Sequence, residues 1–231
     1  MVTASSTAET VRTAEPVQGP PDYLAKMNEN DQVEQARAHL RQIPELAPLL
    51  NAYTPRERED YGGDVYFGLI RAITYQQLSG KAAGTIFGRF LDLFPDGYPH
   101  PEALLEMSEQ DLRAVGMSRS KAAYLQNVAR FWREYKLLRA DWTAKSDEEI
   151  LALLTQIKGV GHWTAEMVLM FVLHRPDVLP LDDLVVRRGV VRLLGLEELR
   201  GRKQIAAILE GTAGWRPHRS YASRLLWEAG G

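Results

Sequence analysis

From residue 22 to residue 229, apolar residues return every three or four positions almost without interruption. No run of β-branched alternation is long enough to compete. That spacing admits an all-α fold. Helices are predicted near 22–40, 44–53, 64–77, 80–94, 101–106, 109–114, 120–137, 147–156, 162–173, 183–194, 203–212 and 219–229. Glycine and proline place the breaks, at Pro55, "YGGD", Ser79-Gly80, "FPDGYPHP", Gly116, "GVG", "RPDVLPLDD", "LGL" and "GWRPH". Residues 22–231 contain no long linker and no low-complexity segment, so one compact body is expected there. Residues 1–21 lack a basic and an apolar region and read as a disordered tail rather than a signal peptide.

Composition removes whole classes of chemistry. With no cysteine among 231 residues, disulfides, thiolate zinc sites, cysteine-ligated iron–sulfur clusters and cysteine nucleophiles are excluded. The most apolar stretch, "MVLMFVL" at 167–173, is far shorter than a membrane span, so a cytoplasmic protein without a membrane partner is expected. The net charge of −2 argues against a nucleic-acid partner, but the excess of acids over bases lies before residue 61. Residues 61–231 are slightly basic. Within them 113–145 carries eight Lys and Arg against Glu134 and Asp141, a pattern that also suits a plain solvated helix face.

Four short segments could carry chemistry. In "IKGVGHWTAEM" at 157–167, Gly159 and Gly161 suit positive φ and let another backbone approach closely. A helix starting near His162 would aim free amides and its positive dipole end at an anion. The pattern is a helix-hairpin-helix, which grips phosphate through main-chain amides; a plain αα-hairpin with a glycine cap fits the same letters. "VGMSRSKAAYL", with Ser118 and Lys121, repeats the arrangement of a glycine turn before a helix. In "RPDVLPLDDLVVRR", Asp182 suits the N-cap and would put Asp183 in the first turn. Capping alone would also explain that pair. In "AITYQQLSGKAAGTI", Tyr75, Gln76 and Gln77 end one helix and Ser79 can cap the next; such glutamines are usually solvated, yet one could enter a DNA stack. Trp132, Trp142 and Trp215 read as core.

These segments, in this order, resemble the helix-hairpin-helix DNA glycosylases, most closely the 3-methyladenine DNA glycosylase II type, from about residue 64 onward. The strongest part is "IKGVGHWTAEMVLMFVLHRPDVLPLDDL", with "RSYASRLLW" similar to the family's last helix and "ITYQQLS" to its intercalating loop. The resemblance implies two helical lobes with the active site in the cleft between them, here 72–178 against 22–71 plus 179–231. It implies Asp183 as the catalytic carboxylate. Trp163 and Trp227 would line the base pocket with Tyr75 and Met167, the last standing where an aromatic is expected. Gln77 would fill the gap left by the flipped nucleotide. Gly159, Val160, Gly161 and Thr164, with Ser118 and Lys121, would hold the DNA backbone. No cofactor is required, although the hairpin carbonyls of Thr155, Ile157 and Val160 would suit a sodium or potassium ion. The stretch before residue 64 is too short for the β-rich domain some relatives carry.

The same resemblance implies a monomer that acts on double-stranded DNA containing damaged bases. Family members that also cut the strand carry a lysine where this chain has Trp163, so a monofunctional hydrolase is expected, with Lys158 as the nearby amine of a glycosylase-lyase alternative. A non-catalytic hairpin module that binds DNA shape is the other reading. It leaves Asp183 and the paired tryptophans without a purpose.

Overall fold

The computed structural model describes residues 29–55 and 62–230. The tail at 1–21 and the start of the first predicted helix lie outside them. Twelve α-helices occur among the described residues. They are α1 (Glu29–Leu40), α2 (Ala47–Ala52), α3 (Val65–Tyr75), α4 (Gly80–Leu91), α5 (Pro101–Glu106), α6 (Glu109–Ala114), α7 (Arg119–Glu134), α8 (Asp147–Leu154), α9 (His162–Phe171), α10 (Leu184–Leu193), α11 (Gly201–Gly211) and α12 (Arg219–Gly230). No helix among the described residues is long and apolar enough to cross a membrane.

Helix starts are written in polar caps. Ser79, Ser108, Ser118 and Ser146 each accept a backbone amide from three residues on, and at Ser108 and Ser146 the partner acid returns the bond as a capping box. Several ends come two or three residues earlier than their apolar spacing suggests. After α4 and α8 the chain continues in tighter i→i+3 turns, such as Leu93 N–H to Phe90 O and Ile157 N–H to Leu154 O, which keep side chains on the same face without being α-helix.

Two buried clusters organise the helices. The first runs from Val65 to Val178 and centres on α3, which packs against α4, α7 and α9. Trp132 is 1 % exposed there and stacks on Trp142 with ring centroids 5.6 Å apart. The second gathers Leu40, Leu46 and Leu50 with Val186, Val190, Trp215, Leu225 and Leu226. The chain therefore starts in one lobe, builds the other, and returns. The buried residues of α3 belong to the first cluster, where Val65, Tyr66, Leu69 and Ile70 form one stripe with Ile73.

The return crossing is tightly fixed. The buried Arg175 guanidinium donates to the carbonyls of Trp142 and Lys145 and lies 3.2 Å from Asp147. Ser220 Oγ accepts from Val178 N–H and donates to Arg175 O, while Arg219 pairs with Asp177 at 2.6 Å. These bonds tie the crossing segment to the first turn of α12 and set where residues 180–183 emerge beside α9.

Candidate active site

The site lies along the seam between the lobes. Pro180 O accepts Asp183 N–H at 3.0 Å, closing a turn that uses up Asp182 and delays the helix by one residue. Asp183, not Asp182, is thus the N-cap of α10; its Oδ1 accepts the amides of Val185 and Val186 at 2.9 and 3.0 Å. Its other oxygen, Oδ2, accepts Trp163 Nε1–H at 3.1 Å across the seam. Three donors from two elements therefore fix the orientation of this half-buried carboxylate, and Asp182 is left exposed beside it.

One face of α9 forms the opposite wall. Trp163, Met167 and Phe171 recur every four residues, so they lie in a stripe about 12 Å long. Asp183 meets its N-terminal end. Trp227, from α12, meets its C-terminal end by stacking on Phe171 at 5.7 Å and 25°. Trp227 also packs against both clusters, so it closes the seam. Phe171, which reads in sequence as ordinary core, extends the α9 stripe one turn beyond Met167.

Glu166 is the other residue the sequence conceals. It is 6 % exposed, its Oε1 lies 3.4 Å from His162 Nδ1, and its Oε2 is buried without a hydrogen-bond partner. Burial pushes its carboxyl up to about 7, His162 opposes this, and Asp182 and Asp183 add to it. Because the folded chain holds this proton more tightly than the unfolded one, the acid's stabilising contribution is complete below pH 4.5 and lost by about pH 7. Glu166→Gln is accordingly expected to raise stability at pH 8 by about 1–3 kcal/mol and to change little at pH 4, as urea titrations at the two pH values would show.

The hairpin between α8 and α9 is built against α7. Gly159 has φ +109°, and a Cβ there would lie 2.2 Å from the Tyr124 ring. Asn127 Nδ2 donates to Lys158 O at 3.0 Å, which holds the turn from the other side. Gly161 departs from expectation: its φ is −87°, so its conformation does not require glycine, and a Cβ would meet open space. What its lack of a side chain leaves is access. α9 has no side-chain cap at all, so its first amides have no cap where the chain surface is open. Val160 is buried and Lys158 is exposed, so at Val160 only the backbone can face a partner.

Among the other predicted residues, Ser118 caps α7 by accepting Lys121 N–H. Lys121 Nζ donates to Thr74 O at 2.8 Å, and the Thr164 side chain is buried and accepts from Gln76 Nε2 at 3.0 Å, so both side chains reach the end of α3 and the loop after it. Tyr75 is half-buried, with the Arg71 guanidinium 4.0 Å above its ring. Gln77 is exposed at the tip of the α3–α4 loop with φ +57°.

An uncapped helix-hairpin-helix set against an oriented carboxylate and an aromatic-walled seam is the arrangement of a base-excision enzyme. The chain belongs to the HhH-GPD superfamily of base excision DNA repair proteins, which residues 70–213 match. It is 36 % identical over 199 residues to DNA-3-methyladenine glycosylase 1 of Schizosaccharomyces pombe, covering 84 % of this chain and 86 % of that protein. It is 28 % identical over 168 residues to DNA-3-methyladenine glycosylase 2 of Escherichia coli, covering 68 % and 55 %. Among solved structures, the S. pombe 3-methyladenine DNA glycosylase in complex with abasic DNA superposes with a TM-score of 0.72 at 34 % identity, over 84 % of this chain and 95 % of that one. A DNA-3-methyladenine glycosidase from Bacillus halodurans gives 0.67 at 30 %, over 85 % and 89 %.

Proposed function

We propose that this protein is a monofunctional DNA glycosylase that hydrolyses the N-glycosidic bond of alkylated bases flipped out of duplex DNA, acting as a cytoplasmic monomer. The observation that carries this reading is the carboxylate of Asp183, held by Val185, Val186 and Trp163 at the mouth of the seam.

That placement sets the chemistry. A base inside the duplex cannot be reached, so the nucleotide rotates out and Gln77, on its exposed loop, takes the vacated space. The uncapped amides of α9 and the Gly159–Gly161 turn hold a neighbouring phosphate without reading sequence. The carbonyls of Thr155, Ile157 and Val160 are an oxygen-only donor set that fits a sodium or potassium ion; Ile157 O already accepts Val160 N–H and keeps one lone pair. Such an ion would add positive charge near that phosphate.

A base alkylated on a ring nitrogen carries positive charge and is a good leaving group. An indole face attracts such a cation by about 0.5–2 kcal/mol, which favours damaged bases at the Trp163 to Trp227 wall. As the C1′–N bond breaks, its electron pair leaves with the base and the sugar gains oxocarbenium character. Asp183 Oδ2 keeps a lone pair beyond its bond to Trp163; it stabilises that charge and orients a water whose oxygen bonds C1′ and whose proton it accepts. No amine is required for this route.

The test is to incubate the protein with methylated duplex DNA and identify released bases by mass spectrometry. Free alkylated purines and intact strands bearing abasic sites are expected. Binding with no base released would leave only a DNA-shape module, and a covalent adduct trapped by borohydride would favour the lyase route through Lys158.

A further inference from the structure

The loop that carries Gln77 is braced from two helices, and both are the helices that begin at glycine turns. On one side, Lys121 in the first turn of α7 sends its ammonium 2.8 Å from the carbonyl of Thr74 in the last turn of α3. Burial lowers the Lys121 pKa, consistent with an ammonium drawn partly out of water. On the other side, Thr164 in the first turn of α9 accepts Gln76 Nε2–H at 3.0 Å. Thr164 is 2 % exposed and Thr74 fully buried, so one end of each contact is withdrawn from water. Between the two braces the chain turns out: Gln77 takes a left-handed conformation and Leu78 stands 39 % exposed beside it. A non-glycine residue at positive φ is held there only when its neighbours determine it.

We propose that Lys121 and Thr164 are positioning residues which couple the two helix starts, α7 and α9, to the α3–α4 loop, so that a strand seated on those starts fixes Gln77 for entry into the duplex. This rests on the reading of Gln77 as the residue that fills the vacated stack. It reassigns Lys121 from a phosphate ligand to a brace. A lysine that is turned to a peptide carbonyl and makes no phosphate contact releases no condensed counterion from DNA, whereas a phosphate ligand does, and that difference is measurable.

The experiment uses the full chain and duplex DNA with 2-aminopurine beside a single alkylated base, read by stopped-flow fluorescence, by kcat, and by the slope of log binding constant against log salt. Lys121→Met and Thr164→Val are expected to slow the fluorescence rise and kcat about tenfold each, the worth of one hydrogen bond. Lys121→Arg and Thr164→Ser, which keep a donor and an acceptor, are expected to recover most of that loss. The salt slope of Lys121→Met should equal that of the wild type. A slope reduced by about one with kcat unaltered would make Lys121 a phosphate ligand and overturn the proposal; so would Lys121→Arg and Thr164→Ser variants as slow as Lys121→Met and Thr164→Val. Gln77→Ala separates the two levels. If it leaves the fluorescence rise intact, the reading of Gln77 fails; if it removes the rise while the brace variants do not, only the coupling fails.

Discussion

Asp183→Asn is expected to cut turnover on alkylated duplex DNA by roughly 10²–10⁴-fold while the melting temperature falls by only a few degrees. The two effects separate because the residue does two things with different atoms. Oδ1 caps α10, and an asparagine oxygen accepts the Val185 and Val186 amides equally well, so the helix start survives. Oδ2 becomes an amide nitrogen facing Trp163 Nε1, donor against donor, at the cost of one hydrogen bond worth about 1 kcal/mol. What disappears is the negative charge and the ability to take a proton from water. Asp183→Ala makes the contrast, because it loses the cap as well and should add a stability loss of about 0.5–2 kcal/mol to the same catalytic defect. Thermal melts and single-turnover excision on both variants check this. An Asp183→Asn variant that frees bases as fast as the wild type would remove Asp183 from the chemistry.

The same two-fold use of one residue explains what the sequence could and could not reveal. Helix limits were legible from glycine, proline and Ser79, and the caps at Ser108, Ser118 and Ser146 are local marks of the same kind. The α10 start was off by one because two adjacent aspartates are equivalent as letters, and only the turn closed by Pro180 O decides between them. Gly159 could be read as a turn glycine, but the reason for it, the Tyr124 ring from 35 positions earlier, could not. Glu166 and Phe171 were hidden for a related reason. Each belongs to an apolar helical stretch, and each acquires its significance from the returning lobe: Trp227 against Phe171, the acids at 182 and 183 beside Glu166. Periodicity identifies the buried face of α9 and is silent on which part of that face meets core and which meets a seam. The seam residues legible beforehand, Trp163, Trp227 and Asp183, came from likeness to a family, because their meeting spans chain separations no local pattern encodes.

Gly159→Ala is expected to destabilise the protein by about 2–5 kcal/mol and to weaken binding to lesion-bearing duplex in proportion, through two separable costs. One is conformational: φ of +109° lies where an L side chain is strained. The other is steric. A methyl group would sit 2.2 Å from Cγ and 2.6 Å from Cβ of Tyr124, and the Cβ cannot swing away because α7 fixes it. The hairpin must lift off α7, which stretches the Asn127 bond to Lys158 O and shifts the amides at the start of α9 that face the DNA. Adding Tyr124→Ala removes the ring atoms in the way but not the backbone strain. In a double-mutant cycle the pair should be less damaging than the two single changes summed, with the recovered part measuring the clash with the ring and the remainder the backbone strain together with the contact to Cβ, which alanine keeps. Gly161→Ala is the control within the same turn. Its φ is ordinary and its Cβ meets nothing in the protein, so stability should hold within about 1 kcal/mol. Affinity for duplex DNA should nevertheless fall, since the methyl group would stand where a phosphate approaches the open end of α9. Equal affinity for wild type and Gly161→Ala, measured by fluorescence anisotropy, would remove the hairpin from the DNA interface.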